Sequence, residues 1–182
     1  MTPIIECLIN KKTDVTPIWL MRQAGRYLPE FREIRKVNKN FIDLCLNARL
    51  SEEITLQPIN RFGFDAAIIF SDILMVPYGL GQNVQFKKNF GPNLGKVDLE
   101  SLLMTSEQDF TKKLSPIYEL LKNLNKNEKI KGKDLIGFVG APWTLLVYMV
   151  NQISPKNGLS PNFFTDKELK NNLLKILDKF IK

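Results

Sequence analysis

The sequence predicts a parallel α/β architecture, and three observations carry that expectation. Two short apolar runs rich in β-branched residues, AAIIF at 66–70 and DLIGFVG at 134–140, read as buried strands. Between them Ser115 and Pro116 open an amphipathic helix with Ile117, Leu120, Leu121 and Leu124 on one face. A further helical pattern, TLLVYMV, follows the second run, giving the order strand, helix, strand, helix that parallel sheets require.

Taken along the chain, the first clear helix start is Ser51 with Glu52 and Glu53, and Pro58 is expected to bend that helix before Gly63. The strand at 66–70 comes next, with Ser71 and Asp72 directly at its C-terminal end. The segment GLGQNVQFKKNFGPNLG at 79–95 is rich in glycine but matches neither a P-loop nor G-x-G-x-x-G, so it reads as a long surface excursion and a candidate lid. Past the strand at 134–140, Ala141 leads to Pro142, placed in the first turn of the helix. Thr165 and Glu168 form a capping box, and Leu169, Leu173, Leu174, Leu177 and Phe180 are spaced along the inner face of the helix it starts. Two strands do not close a sheet, and a (β/α)8 barrel takes roughly 250 residues. The chain ends on a helix whose apolar face calls for a following strand, so it is expected to be an incomplete fold.

Composition excludes several function classes. With 182 residues, 44% hydrophobic and 25% charged, the chain is long enough to bury a core and carries no signature of disorder. MTPIIECLINKK lacks the pattern of a signal peptide, and the longest apolar stretch, FVGAPWTLLVYMV, is too short for a spanning helix of roughly 20 residues, so a soluble protein is expected. Cys7 and Cys45 have no partner cluster, which suggests a reduced, cytoplasmic setting. The absence of histidine rules out a Ser–His or Cys–His nucleophile and a His-ligated metal within this chain. The net charge of +7 fits a polyanionic partner or a plain surplus of lysine, and no nucleic-acid motif accompanies it. Arginine is more informative, because four of the six arginines fall between Arg22 and Arg35.

Arg22 and Arg26, four apart, would share a face on a helical turn, where like charges repel unless an anion or carboxylates neutralise them. Arginine suits carboxylate binding through two parallel hydrogen bonds, and Gly25 between the pair allows close backbone approach. A solvated basic turn paired with Glu30 and Glu33 fits the spacing equally well. Asp72 stands where α/β proteins place their sites, although a helix cap or loop ion pair accounts for it too. Tyr148, among Leu145, Leu146, Val147, Met149 and Val150, is expected to be core with its hydroxyl satisfied, and Trp143 to be core as well.

PIWLMRQAGRYLPEF at 17–31 and GFVGAPWTLLVYMV at 137–150 resemble the two signatures of the uroporphyrinogen decarboxylase family, and FDAAIIFSDIL at 64–74 resembles its aspartate-bearing strand. The resemblance spans nearly the whole chain but only about the first half of the family's length. It implies a single (β/α)8-barrel domain, of which 1–182 would be the N-terminal half, in an enzyme that is a homodimer when full-length. It also implies removal of CO2 from the four acetate side chains of uroporphyrinogen III to give coproporphyrinogen III, with no metal or organic cofactor and neither nucleic acid nor membrane as partner. Arg22, Ala24, Arg26 and Arg35 match substrate-binding positions, Asp72 the carboxylate at the macrocycle centre, and Tyr148 the tyrosine that supports it. Arg22 is the candidate proton donor. Departures lie after Met149, where VNQISPKNG replaces the family's acidic and glycine residues, and in the family's later serine and histidine, which fall beyond residue 182.

Two other readings stand beside this one. A related barrel methyltransferase shares the fold, but the arginine pair and the APWT segment argue against it. A non-catalytic porphyrinogen-binding or partner-dependent fragment follows from the length, since half a barrel leaves a strand edge unpaired. On either of the two porphyrinogen readings the 182-residue chain alone is expected to lack decarboxylase activity.

Overall fold

A computed structural model describes residues 1–10, 15–87, 90–154 and 167–181, and of 168–170, 173, 177, 180 and 181 the backbone only. The chain divides into two compact units, Met1–Ser71 with Ser115–Phe138, and Asp72–Leu114 with Val139–Lys182. The first holds α1 (Pro3–Asn10), α2 (Pro29–Val37), α3 (Phe41–Cys45), α4 (Ala48–Phe62), β1 (Ala66–Ile68), α8 (Ser115–Lys126), a 3-10 turn (Glu128–Ile130) and β4 (Asp134–Ile136). The second holds α5 (Met75–Gly79), β2 (Val84–Lys87), β3 (Gly91–Leu94), α6 (Leu99–Met104), α7 (Glu107–Lys113), α9 (Pro142–Asn151) and α10 (Lys167–Ile181).

In the first unit the two predicted strands pair in parallel, with Ala66, Ala67 and Ile68 opposite Asp134, Leu135 and Ile136. Regular pairing is shorter than the apolar runs: one more bond, from Ile69 N–H to Ile136 O at 3.1 Å, ends it. After Ile136 the sequence brings Gly137 and Gly140, which offer no side chain to a pleated surface. Helix α4 packs two faces. Ala48, Leu56 and Ile59 join Ala67 of β1, Leu120 and Leu124 of α8, and Ile130, with Phe64 and Leu135 at the margin. Leu50 and Ile54 join Leu28, Phe31 and Leu44. The face predicted for α8 is present, with Leu120 and Leu124 buried and Ile117 and Leu121 half-buried.

The start predicted for α4 is one turn late. Asn47 is the N-cap, accepting the Leu50 N–H at 3.0 Å, whereas Ser51 is buried inside the helix and donates to Leu44 O at 3.0 Å. Asparagine caps at least as well as serine and precedes the first buried residue of the helix, Ala48. Pro58 lies within α4 without ending it, and Gly63, at φ 69° in the left-handed region, closes it four residues past Ile59.

In the second unit the described residues of 79–95 form a hairpin with a buried side rather than an irregular excursion. β2 and β3 pair antiparallel with Val84 opposite Leu94, both buried. The buried Gln82 amide donates to Gly95 O at 2.7 Å and Met149 O at 3.0 Å, and Leu94 N–H donates to Gln152 O at 2.7 Å. Apolar residues at those two positions, each turned inward, supply the burial that a count of glycines overlooks. Helix α9 begins at Pro142 as predicted and buries Leu145, Leu146, Val147 and Met149. Trp143 is 51% exposed rather than core, because it sits in the first turn, beyond the packed surface that holds Val147 one turn later.

For α10, Thr165 of the predicted capping box lies outside the described residues, as do the side chains of Glu168, Leu169, Leu173, Leu177 and Phe180. Leu174 is 52% exposed, against the predicted inner face, and Ile176 is buried. The Lys179 ammonium donates to Leu103 O and Thr105 O at 3.2 and 2.6 Å, neutralising carbonyls at the end of α6. Asn47→Ala is expected to lower the unfolding free energy by about 1 kcal/mol, read as a lower urea midpoint. An unchanged midpoint would show that the helix does not depend on this cap.

Candidate active site

The segment from Met21 to Leu28 forms turns and bends, not the helical turn on which Arg22 and Arg26 were expected to share a face. Its shape is set instead by side chains. Gln23, 2% exposed, donates through Nε2 to Ala66 O at 2.9 Å and accepts Leu20 N–H on Oε1 at 3.1 Å. The Tyr27 hydroxyl donates to Gln23 O, and Leu28 N–H reaches Gly25 O at 3.0 Å. Ala24 is half-buried against the Leu28, Phe31 and Ile54 cluster. Arg22 and Arg26 are exposed. Arg35, on α2, is half-buried, donates to Asn38 O at 2.7 Å and stands 5.5 Å from the Phe41 ring centre. Burial first, and the neighbouring Arg26 charge second, hold its guanidinium below the usual arginine range.

The acids expected to neutralise this turn are engaged elsewhere. Glu30 pairs with Arg61 at 2.5 Å, and its own backbone N–H and Arg61 hold its carboxyl below the usual range. Glu33 pairs with Lys36 at 2.6 Å. Among the described residues none of Arg22, Arg26 and Arg35 has a carboxylate partner. Of the two readings left open by the spacing, the paired basic turn is therefore removed. Arg22 and Arg26 stand in solvent and Arg35 is partly dehydrated, all three within the first unit. Gln23 was missed in the sequence, where a glutamine between two exposed arginines gives no sign of burial.

Asp72 opens the second unit. One oxygen of its carboxylate accepts Leu74 N–H at 2.8 Å, and its carbonyl accepts Met75 N–H at 3.1 Å, so it shapes the turn into α5. The other carboxylate oxygen makes no hydrogen bond among the described residues. Burial raises its pKa above the usual carboxylate range, opposed by the Leu74 N–H. The expected N-cap is not formed, since Leu74 caps α5 without a side-chain bond; Asp72 instead holds the turn before it with half of the carboxylate. Tyr148 is half-buried on α9, and its hydroxyl has no partner among the described residues, so the expectation of a satisfied core tyrosine does not hold.

A sequence model of the family described as uroporphyrinogen decarboxylase (URO-D) matches residues 1–182. The chain belongs to the uroporphyrinogen decarboxylase family. Similar proteins of that name include one from Chelativorans sp. (strain BNC1), 46% identical over 147 residues, which are 81% of this chain and 43% of that protein. Another, from Brucella ovis, is 48% identical over 134 residues, 74% of this chain and 39% of that one. The chain thus spans well under half the length of these uroporphyrinogen decarboxylase relatives. Among solved structures, a methyltransferase from Methanosarcina mazei superposes with a TM-score of 0.65 at 15% identity, covering 97% of this chain and 50% of that one. At that identity the likeness concerns the fold. The parallel α/β architecture is that of the N-terminal part of the family's (β/α)8 barrel. No helix among the described residues is long and apolar enough to cross a membrane.

Because its folded pKa is raised, Asp72 costs stability once pH exceeds the ordinary aspartate value, and the cost is complete above the raised one. Asp72→Asn keeps an oxygen for Leu74 N–H and removes the charge. Its stability relative to the parent chain is expected to increase as pH rises through that window, measured by urea midpoints. A difference independent of pH would contradict the assignment.

Proposed function

We propose that this chain supplies the arginine-rich wall and the central carboxylate of a cytoplasmic uroporphyrinogen decarboxylase, converting uroporphyrinogen III to coproporphyrinogen III. The observation that carries the proposal is the set of three arginines with no carboxylate partner among the described residues, beside acids already committed to Arg61 and Lys36. A substrate bearing many carboxylates supplies the missing counter-charge. Cys7 and Cys45 are thiols rather than halves of a disulfide, which fits a reducing compartment. On this proposal the residues belong to one barrel domain, of a protein that is a homodimer when full-length.

Each decarboxylation consumes a proton and releases CO2, turning an acetate arm into a methyl. Protonating the pyrrole carbon that bears the acetate makes the ring an electron sink. The bond to the carboxylate then breaks, its electrons flow into the ring, and a proton on the exocyclic carbon with loss of the ring proton completes the methyl. No metal or organic cofactor is needed where the ring takes that charge. Asp72 would accept pyrrole N–H groups and stabilise the cation. Burial disfavours its ionised form when no cation is near, and a developing positive charge reverses that balance, so its help is greatest in the transition state. Arg22, Arg26 and Arg35, with the backbone at Ala24, would orient the arms. Arg22 is the proposed proton donor, although a guanidinium gives up its proton slowly. Tyr148 would bring its hydroxyl to support Asp72.

The test places this chain in the matching segment of the Brucella ovis relative and supplies uroporphyrinogen III anaerobically. Coproporphyrinogen is expected from the chimera, and Asp72→Asn is expected to lower turnover by about 100-fold or more. The 182-residue chain alone is expected to yield none. A chimera that folds and is inert, or one indifferent to Asp72→Asn, would overturn the proposal.

A further inference from the structure

We infer that Gln23 is the positioning residue for a carboxylate clamp made by Arg22 and Arg26, an inference that rests on the function proposed above. Residues 21–28 have neither helix nor strand to order them. An arginine pair on such a segment would spend binding energy on fixing its own backbone each time a ligand arrived. Gln23 removes that need through three bonds in different directions. Its Nε2 ties the segment to Ala66 O at the start of β1, at 2.9 Å. Its Oε1 receives Leu20 N–H, on the N-terminal side of Arg22, at 3.1 Å. Its carbonyl receives the hydroxyl of Tyr27, the neighbour of Arg26.

The same anchoring sets direction. With Gln23 buried at 2% exposure, its neighbour Arg22 is left exposed, and Arg26 is exposed at the far side of Gly25. Arg32 adds a further brace, donating to Arg26 O at 3.3 Å. A glutamine is the side chain for this work because it offers a donor and an acceptor at one tip. Methionine has the length and neither bond, and asparagine has both groups but one methylene less reach.

The test uses the 182-residue chain and uroporphyrin III, the stable oxidised octacarboxylate, titrated by quenching of tryptophan fluorescence while far-UV circular dichroism reports folding. Gln23→Met is expected to weaken binding about tenfold with its dichroism unchanged, the loss of about one well-placed charged contact. The deciding readout is a double-mutant cycle. In a chain already carrying Arg22→Ala and Arg26→Ala, Gln23→Met should cost nothing further, because a positioning residue has nothing left to position. The inference is overturned if Gln23→Met binds as the parent does, or if it costs the same factor in both backgrounds, which marks a merely structural residue. Should Gln23→Met lose its dichroism, Gln23→Asn is read by the same two criteria. If the paired arginine substitutions leave binding intact, the clamp itself is wrong, and that result is distinct from failure at Gln23 alone.

Discussion

Strand β1 pairs regularly over only three residues, and β4 satisfies one of its edges. Backbone groups that point the other way need partners as much as those in the sheet, since an unpaired buried group costs as much as a lost bond. Side chains supply them. Gln23 takes Ala66 O, and Thr55 Oγ1, buried in α4, takes Phe70 N–H at 2.9 Å while donating to Ser51 O at 2.7 Å. Just before the strand, Ile18 and Asp65 exchange bonds at 2.9 and 2.7 Å, the second through the Asp65 carboxylate. The arginine segment and the exit of β1 toward Asp72 are therefore fastened by the polar groups that complete this short strand. Fold and candidate site share the same few bonds.

Charge follows a similar economy. Lysine dominates the chain, and its defined partners are nearby glutamates, as Glu33 is for Lys36, or backbone carbonyls, as at the end of α6 for Lys179 and at Phe64 for Lys133. Arginine is concentrated where geometry is demanding. Arg61 takes Glu30 from the arginine segment, and by doing so it leaves the remaining guanidiniums uncompensated. Exposed ion pairs are worth little to stability. Their arrangement here matters more for which cations remain available.

Much of this was legible in the sequence. The parallel strands, the buried stripe of α8 and the proline that opens α9 follow from periodicity and from proline's fixed geometry. The arginine concentration was plain, and its lack of partners was not, because Glu30 finds Arg61, 31 positions away. The start of α4 was misplaced because Ser51 with its glutamates mimics a cap that Asn47 provides. The hairpin at β2 and β3 was hidden by glycine content, since only its register reveals that Val84 and Leu94 face each other. Trp143 and Tyr148 were judged by their apolar neighbours in sequence, yet a residue's depth depends on what packs over its end of the helix. Gln23 had no local signal at all, its partner lying in a strand 43 positions on.

Asp72 holds the turn that leads into α5 with one carboxylate oxygen, while the other makes no hydrogen bond among the described residues. An asparagine would hold that turn equally well without the buried charge, so folding alone favours the amide over the acid. Drift to asparagine would gain stability as pH rises above the ordinary aspartate value and, on the proposed function, would lose turnover. On the proposed function, retention of the aspartate in natural variants would therefore report selection for turnover working against selection for stability.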